Sequence, residues 1–141
     1  MKASTLGAIL TMAIVIACVR NPPPNTPKQD EITALWTQIR DWRREAGLPV
    51  DPRREDVIAI FNTPMKAAEP VCAVGHAIPP TCSDVCSLAD AICDNAEQIC
   101  ILADELKDQW SADKCASAKA SCRDAKQRCC KCSEPQKASA W

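Results

Sequence analysis

Cys86, Cys93 and Cys100 stand seven residues apart, and so do Cys115, Cys122 and Cys129. Seven residues make almost two turns of an α-helix, so each triplet forms a stripe along one helix face. No Pro or Gly interrupts residues 81–132. Pairing outermost with outermost joins Cys86 to Cys129, Cys93 to Cys122 and Cys100 to Cys115. The residue numbers of each pair add to the same total, as two antiparallel helices require. The centre of symmetry falls at Lys107 and Asp108, where Lys107-Asp108-Gln109 offers a short polar turn. Along each helix the outer cysteines lie ~21 Å apart at 1.5 Å per residue, so the stripes match in length. The chain is therefore expected to be all-α, with a disulfide-laddered antiparallel helical hairpin over residues 81–133.

The residues between the cysteines agree with this. Ala89, Ala96 and Ala103 lie on the first stripe, Ala118 and Ala125 on the second. A disulfide needs its Cα atoms roughly 5.5–6 Å apart, and alanine lets two helices approach that closely. Residues 82–110 carry Asp84, Asp90, Asp94, Glu97, Asp104, Glu105 and Asp108 against Lys107 alone. Residues 111–132 carry Lys114, Lys119, Arg123, Lys126, Arg128 and Lys131 against Asp113 and Asp124. An acidic helix beside a basic one favours this pairing. Thr81 with Asp84 reads as a cap for the first helix and Ser111 as the cap of the second.

Cys72, Cys82, Cys130 and Cys132 all fall at the open end of the hairpin. Cys82–Cys132 can add a fourth rung and Cys72–Cys130 can tie in the preceding loop, although spacing alone does not fix these two pairs. Ten cysteines in five disulfides leave Cys18. The innermost bridge closes a loop of about 15 residues, worth ~3 kcal/mol in the chain-entropy model. Such staples matter because aromatic residues are scarce: four Trp, one Phe and no Tyr.

The amino terminus has a different character. Lys2 precedes an apolar run from Leu6 to Ala17, broken only by Gly7 and Thr11. That run is shorter than the ~20 residues of a membrane span and matches the apolar core of a secretory signal. It ends Val15-Ile16-Ala17-Cys18. This resembles the lipobox of bacterial lipoproteins, with Val15 where Leu is commoner. The resemblance implies cleavage after residue 17, diacylglycerol on the Cys18 sulfur and acylation of the new amino terminus. Two or more acyl chains anchor stably where one is marginal. Arg20, rather than Asp, at the second place after the cysteine favours the outer membrane. Export also supplies the oxidising compartment that disulfides need.

Residues 18–27 read as lipid anchor and Pro-rich tether, semi-rigid and extended. Residues 28–68 read as amphipathic helices. Thr26-Pro27 opens the first; Ile32, Leu35, Trp36, Ile39, Trp42 and Ala46 form its apolar face, and Gly47 and Pro49 end it. Arg40, Asp41, Arg43 and Arg44 are expected on the solvated side. Asp51-Pro52 reads as the start of a second helix with Val57, Ile58, Ile60 and Phe61 on its apolar face. Residues 69–80 form a loop with the only histidine, His76, and residues 134–141 a tail.

The hairpin resembles the paired-cysteine hairpins of the coiled-coil–helix–coiled-coil–helix family, at a shorter cysteine spacing. The mature part also resembles cysteine-rich envelope lipoproteins of delta-proteobacteria. The rival chemistry is thiolate binding of Cu(I) or Zn by Cys82, Cys86, Cys129, Cys130 and Cys132. It needs reduced sulfur outside the cytoplasm and leaves the constant pairing unexplained. A thiol oxidoreductase would show Cys-x-x-Cys at a helix start, which is absent. With one histidine and three glycines, neither a catalytic triad nor a phosphate-cradling loop is expected. The net charge of −1 gives no general attraction to nucleic acid. The expectation is a non-enzymatic, lipid-anchored envelope protein without a cofactor, in the periplasm or at the cell surface. It would hold a membrane through Cys18 and an envelope protein as partner.

Overall fold

The computed structural model describes residues 25–70, 72 and 77–132. The helices run α1 (Pro27–Glu45), α2 (Arg54–Ile60), α3 (Met65–Ala68), α4 (Ser83–Leu106) and α5 (Gln109–Lys131), with a 3-10 turn over Pro80–Cys82 before α4. No strand forms among the described residues. The chain is an all-α, disulfide-rich fold built on the α4–α5 hairpin. No helix of the described residues is long and apolar enough to cross a membrane.

Helix α1 is closed at both ends by its own sequence. The Gln29 N–H donates to the Thr26 hydroxyl, and the Thr26 N–H donates to the Gln29 side chain, so two orphan donors are satisfied reciprocally. At the other end Gly47 takes the left-handed conformation at φ 72°. There the Leu48 N–H donates to the Arg43 carbonyl and the Gly47 N–H to the Arg44 carbonyl. That is the Schellman arrangement, in which glycine avoids the Cβ penalty.

Ile32, Trp36 and Ile39 of α1 pack onto Ile92, Ala96 and Ile99 of α4 and Ala118, Cys122 and Ala125 of α5. All four of these isoleucines are wholly buried, each worth about 1.5–3 kcal/mol of transfer free energy. Lys28 pairs with Glu105 in the last turn of α4, and the Asn95 amide donates to Gln38 at 2.9 Å. Helix α1 therefore runs antiparallel to α4 and parallel to α5, starting beside the hairpin turn and ending near its open end. A second, smaller core joins Ile60 of α2 and Ala68 of α3 to Ala120 on the opposite side of α5. Helix α5 is thus buried on two sides.

Several local expectations are corrected. The turn is two residues long: Lys107 is left-handed at φ 55°, and Asp108, not Ser111, caps α5 by accepting the Ser111 N–H at 2.8 Å. A carboxylate at a helix amino terminus also meets the helix dipole favourably, so the earlier cap wins. Thr81 and Asp84 do not cap α4; its cap position is Cys82, with no side-chain cap bond. Cys82 is held by its bridge to Cys132, and the chain enters α4 through the 3-10 turn. Helix α2 starts at Arg54 without a side-chain cap, because Asp51 turns to the Arg40 guanidinium of α1 at 3.0 Å. Of its expected apolar face only Ile60 is fully buried, while Ile58 is 65% exposed.

A non-glycine residue in the left-handed region is strained. Replacing Lys107 with glycine should therefore stabilise the chain by about 0.5–1 kcal/mol, read as a raised urea midpoint with the bridges intact. An unchanged or lowered midpoint would show that the turn has another conformation.

Candidate functional site

The three rungs between α4 and α5 join Cys86 to Cys129, Cys93 to Cys122 and Cys100 to Cys115, with Cα separations of 4.8, 4.6 and 4.6 Å. Two further bridges close the open end, Cys82 to Cys132 at 6.0 Å and Cys72 to Cys130 at 5.3 Å. Between the rungs Ala89, Ala96, Ala103, Ala118 and Ala125 are all buried. In heptad terms cysteine holds one core position and alanine the other, so the seam contains no side chain longer than a thioether-sized group. The helices can lie this close only because of that choice.

The structure brings together all ten cysteines named as bridge partners. The sulfurs of Cys82, Cys86, Cys129, Cys130 and Cys132 are divided among three bridges, and a sulfur in a disulfide is not a thiolate donor. Among the described residues no group of three His, Cys, Asp or Glu side chains is arranged to hold a metal ion. Cys18 and His76 lie outside the described residues.

Polar side chains fasten the amino-terminal half to the ladder. Arg43 does not lie on the solvated side of α1; it is 1% exposed. Its Nε donates to the Pro49 carbonyl at 2.8 Å and its Nη2 to Asp124 of α5 at 3.0 Å, while Nη1 is buried without a hydrogen-bond partner. The sequence did carry a signal for this. Arg43 follows Ile32, Trp36 and Ile39 at helical spacing, so it sits on the apolar stripe itself. Arg40 and Arg44, off that stripe, are exposed and pair with Asp51 and Asp41.

Lys119 is buried and donates to the Phe61 and Thr63 carbonyls, both at 2.8 Å, closing the end of α2. Burial pushes its pKa below the ordinary lysine value, with the nearby Asp104 carboxylate opposing. Lys126 is also partly desolvated, but its bonds to Asp90 at 2.5 Å and Glu69 at 3.1 Å outweigh that and raise its pKa. Nothing in the sequence distinguishes Lys119 from the other bases of α5. That helix is Ala- and Ser-rich on every side, so its faces look alike until α2 and α3 are in place.

The expected charge match between α4 and α5 takes a narrower form. Among the described residues one ion pair crosses directly between these helices, Lys126 to Asp90. The seam is filled by cysteine and alanine, so most α4 acids face outward; Glu105 pairs with α1 instead. Lys114 stands over the rings of Trp36 and Trp110, at 5.3 and 5.9 Å from their centroids, a cation–π contact that ties α1 to the start of α5.

No protein-family model matches the chain, and no match is found among curated proteins or among solved structures.

Removing Asp124 leaves a buried guanidinium without its counter-charge, a loss of about 3–5 kcal/mol for such pairs. Asp124→Ala should accordingly cost about 3 kcal/mol in urea unfolding. Arg43→Met combined with Asp124→Ala should cost less than Asp124→Ala alone. Additive losses in this double-mutant cycle would show that the pair is not coupled.

Proposed function

We propose that the chain is an exported lipoprotein, held at a bacterial membrane by acyl chains on Cys18, and that its folded part is a non-enzymatic structural or protein-interaction module of the cell envelope. The observation that carries this reading is the division of the cysteines. The ten in the described residues pair entirely among themselves, and the eleventh stands in a Val15-Ile16-Ala17-Cys18 sequence. A protein exported to the oxidising envelope can form and keep five bridges. A bridged set of ten leaves the lipid-bearing cysteine with no competing partner.

The point where the chain enters the fold supports an orientation for such a module. The tether reaches the fold at Pro27, and α1 begins beside Glu105 and the hairpin turn. An anchored chain would thus set the Lys107 end toward its own membrane and the open, cysteine-dense end away from it. Three rungs at intervals of about 10 Å (seven residues at 1.5 Å) make the hairpin a stiff post. Such a post suits a role in spacing or presenting a surface.

The test is the full-length chain, with its own amino terminus, expressed in a bacterium fed an alkyne-bearing fatty acid. The wild type should take up the label and partition into the detergent phase. Cys18→Ser should lose both and accumulate as an unprocessed precursor. Equal labelling and partitioning of the variant would contradict the anchoring.

A further inference from the structure

We propose that the segment after Cys132 folds back onto the open end of the hairpin and seats the Trp141 indole in the cleft left beyond the end of α1. Residues 133–141 lie outside the described residues. The cleft has a volume of about 530 Å³ and is lined by Ala46 and Gly47 just past α1, Val85 and Leu88 of α4, Arg128 of α5, and Cys132.

The seven-residue interval that builds the cysteine stripe also builds a second stripe on α4, formed by Val85, Ile92, Ile99 and Leu106. Leu88, Asn95 and Leu102 run beside it at the same interval. Ile92 and Ile99 are wholly buried, and Leu102 and Leu106 pack against the same core. Helix α1 covers this length, starting beside Glu105 and ending at Glu45. Val85 and Leu88 lie past its end; they are only half-buried and stand outside that core. An apolar stripe covered as far as Ile92 and bare at Leu88 and Val85 is short of one covering group. Covering it is favourable in proportion to the apolar area removed from water.

The chain itself supplies that group. Ser133-Glu134-Pro135-Gln136-Lys137-Ala138-Ser139-Ala140-Trp141 follows Cys132, which lines the cleft. Extended, this length reaches ~30 Å, enough to turn back to where it started. Trp141 is its one large apolar side chain, and an indole buries about 150–250 Å². Attachment at the cleft makes docking intramolecular, at an effective concentration of roughly millimolar order, which favours this segment over a second copy. Arg128 offers the ring a platform. Its Nη2 lies 3.3 Å from the point where a Cβ on Gly47 would stand, so the guanidinium lies along the cleft wall, where an indole can stack on it. Charge agrees. Glu45, Asp84, Arg128 and Lys131 line the cleft, and none forms an ion pair among the described residues. The segment brings one charge of each sign, Glu134 and Lys137. Glu134, two residues from Cys132, has the two bases nearest, and Lys137 can then meet Asp84 or Glu45. Such exposed pairs are individually weak but favour one direction for the segment. The proposal does not depend on Cys18.

The experiment is NMR on the whole oxidised chain, isotope-labelled and held in mild detergent, with the Trp141 indole N–H assigned through Trp141→Phe. The expected result is a set of NOEs from the Trp141 ring to the Val85 and Leu88 methyl groups. The indole N–H should also shift away from its position in a synthetic peptide of residues 133–141. Val85→Ser with Leu88→Ser should return it to the peptide position, while the indoles of Trp36, Trp42 and Trp110 keep theirs and so report that the fold is retained. If that variant does not fold, the wild-type NOEs decide alone. A sample mixing labelled and unlabelled chains separates the occupants: NOEs that cross between chains would assign the cleft to a second copy and overturn the proposal. A wild-type Trp141 indole at the peptide position, or in contact with detergent alone, would overturn it as well.

Discussion

The close contact of α4 and α5 is the constraint from which the rest of the fold follows. Cα separations of 4.6–4.8 Å at three successive rungs admit nothing larger than alanine between them. This removes large apolar residues from the hairpin seam and moves the burial of Ile92 and Ile99 to the side, where α1 covers them. It also explains why so small a share of aromatic residues is tolerated. Covalent closure supplies order that an ordinary core would supply through area.

A seam without bulk shifts the specificity of docking onto polar groups. Helix α1 is oriented by Ile32, Trp36 and Ile39, but its register against α5 is marked by the pairing of the buried Arg43 with the half-buried Asp124. Lys119 and Lys126 do the same for α2 and α3, through backbone carbonyls and through Glu69 and Asp90. An unsatisfied buried donor such as Arg43 Nη1 costs about 1–3 kcal/mol, a cost that the surrounding packing and bridges are able to carry.

The parts of the structure that were legible in the sequence are those written as periodicity. The seven-residue cysteine interval, the alanines between and the Thr26 and Gly47 signals each state a local rule that no distant contact overrides. What was illegible depended on partners far away in sequence. Asp51 opens no helix because Arg40 takes its carboxylate, and Cys82 fixes the entry to α4 because Cys132 holds it. Ser111 lost the cap to Asp108, three residues earlier, where two acceptable caps competed and spacing could not rank them. Arg43 is the instructive miss: its position on the apolar stripe of α1 was visible, but its charge argued for solvent. A half-buried acceptor 81 residues away reversed that preference.

The most direct measurement is non-reducing peptide mapping of the protein recovered from its native envelope, with free thiols blocked at lysis. The ladder requires linked fragments joining Cys86 to Cys129, Cys93 to Cys122 and Cys100 to Cys115, with no blocked cysteine among the six. Blocked thiols at these positions, or bridges formed within one helix, would contradict it.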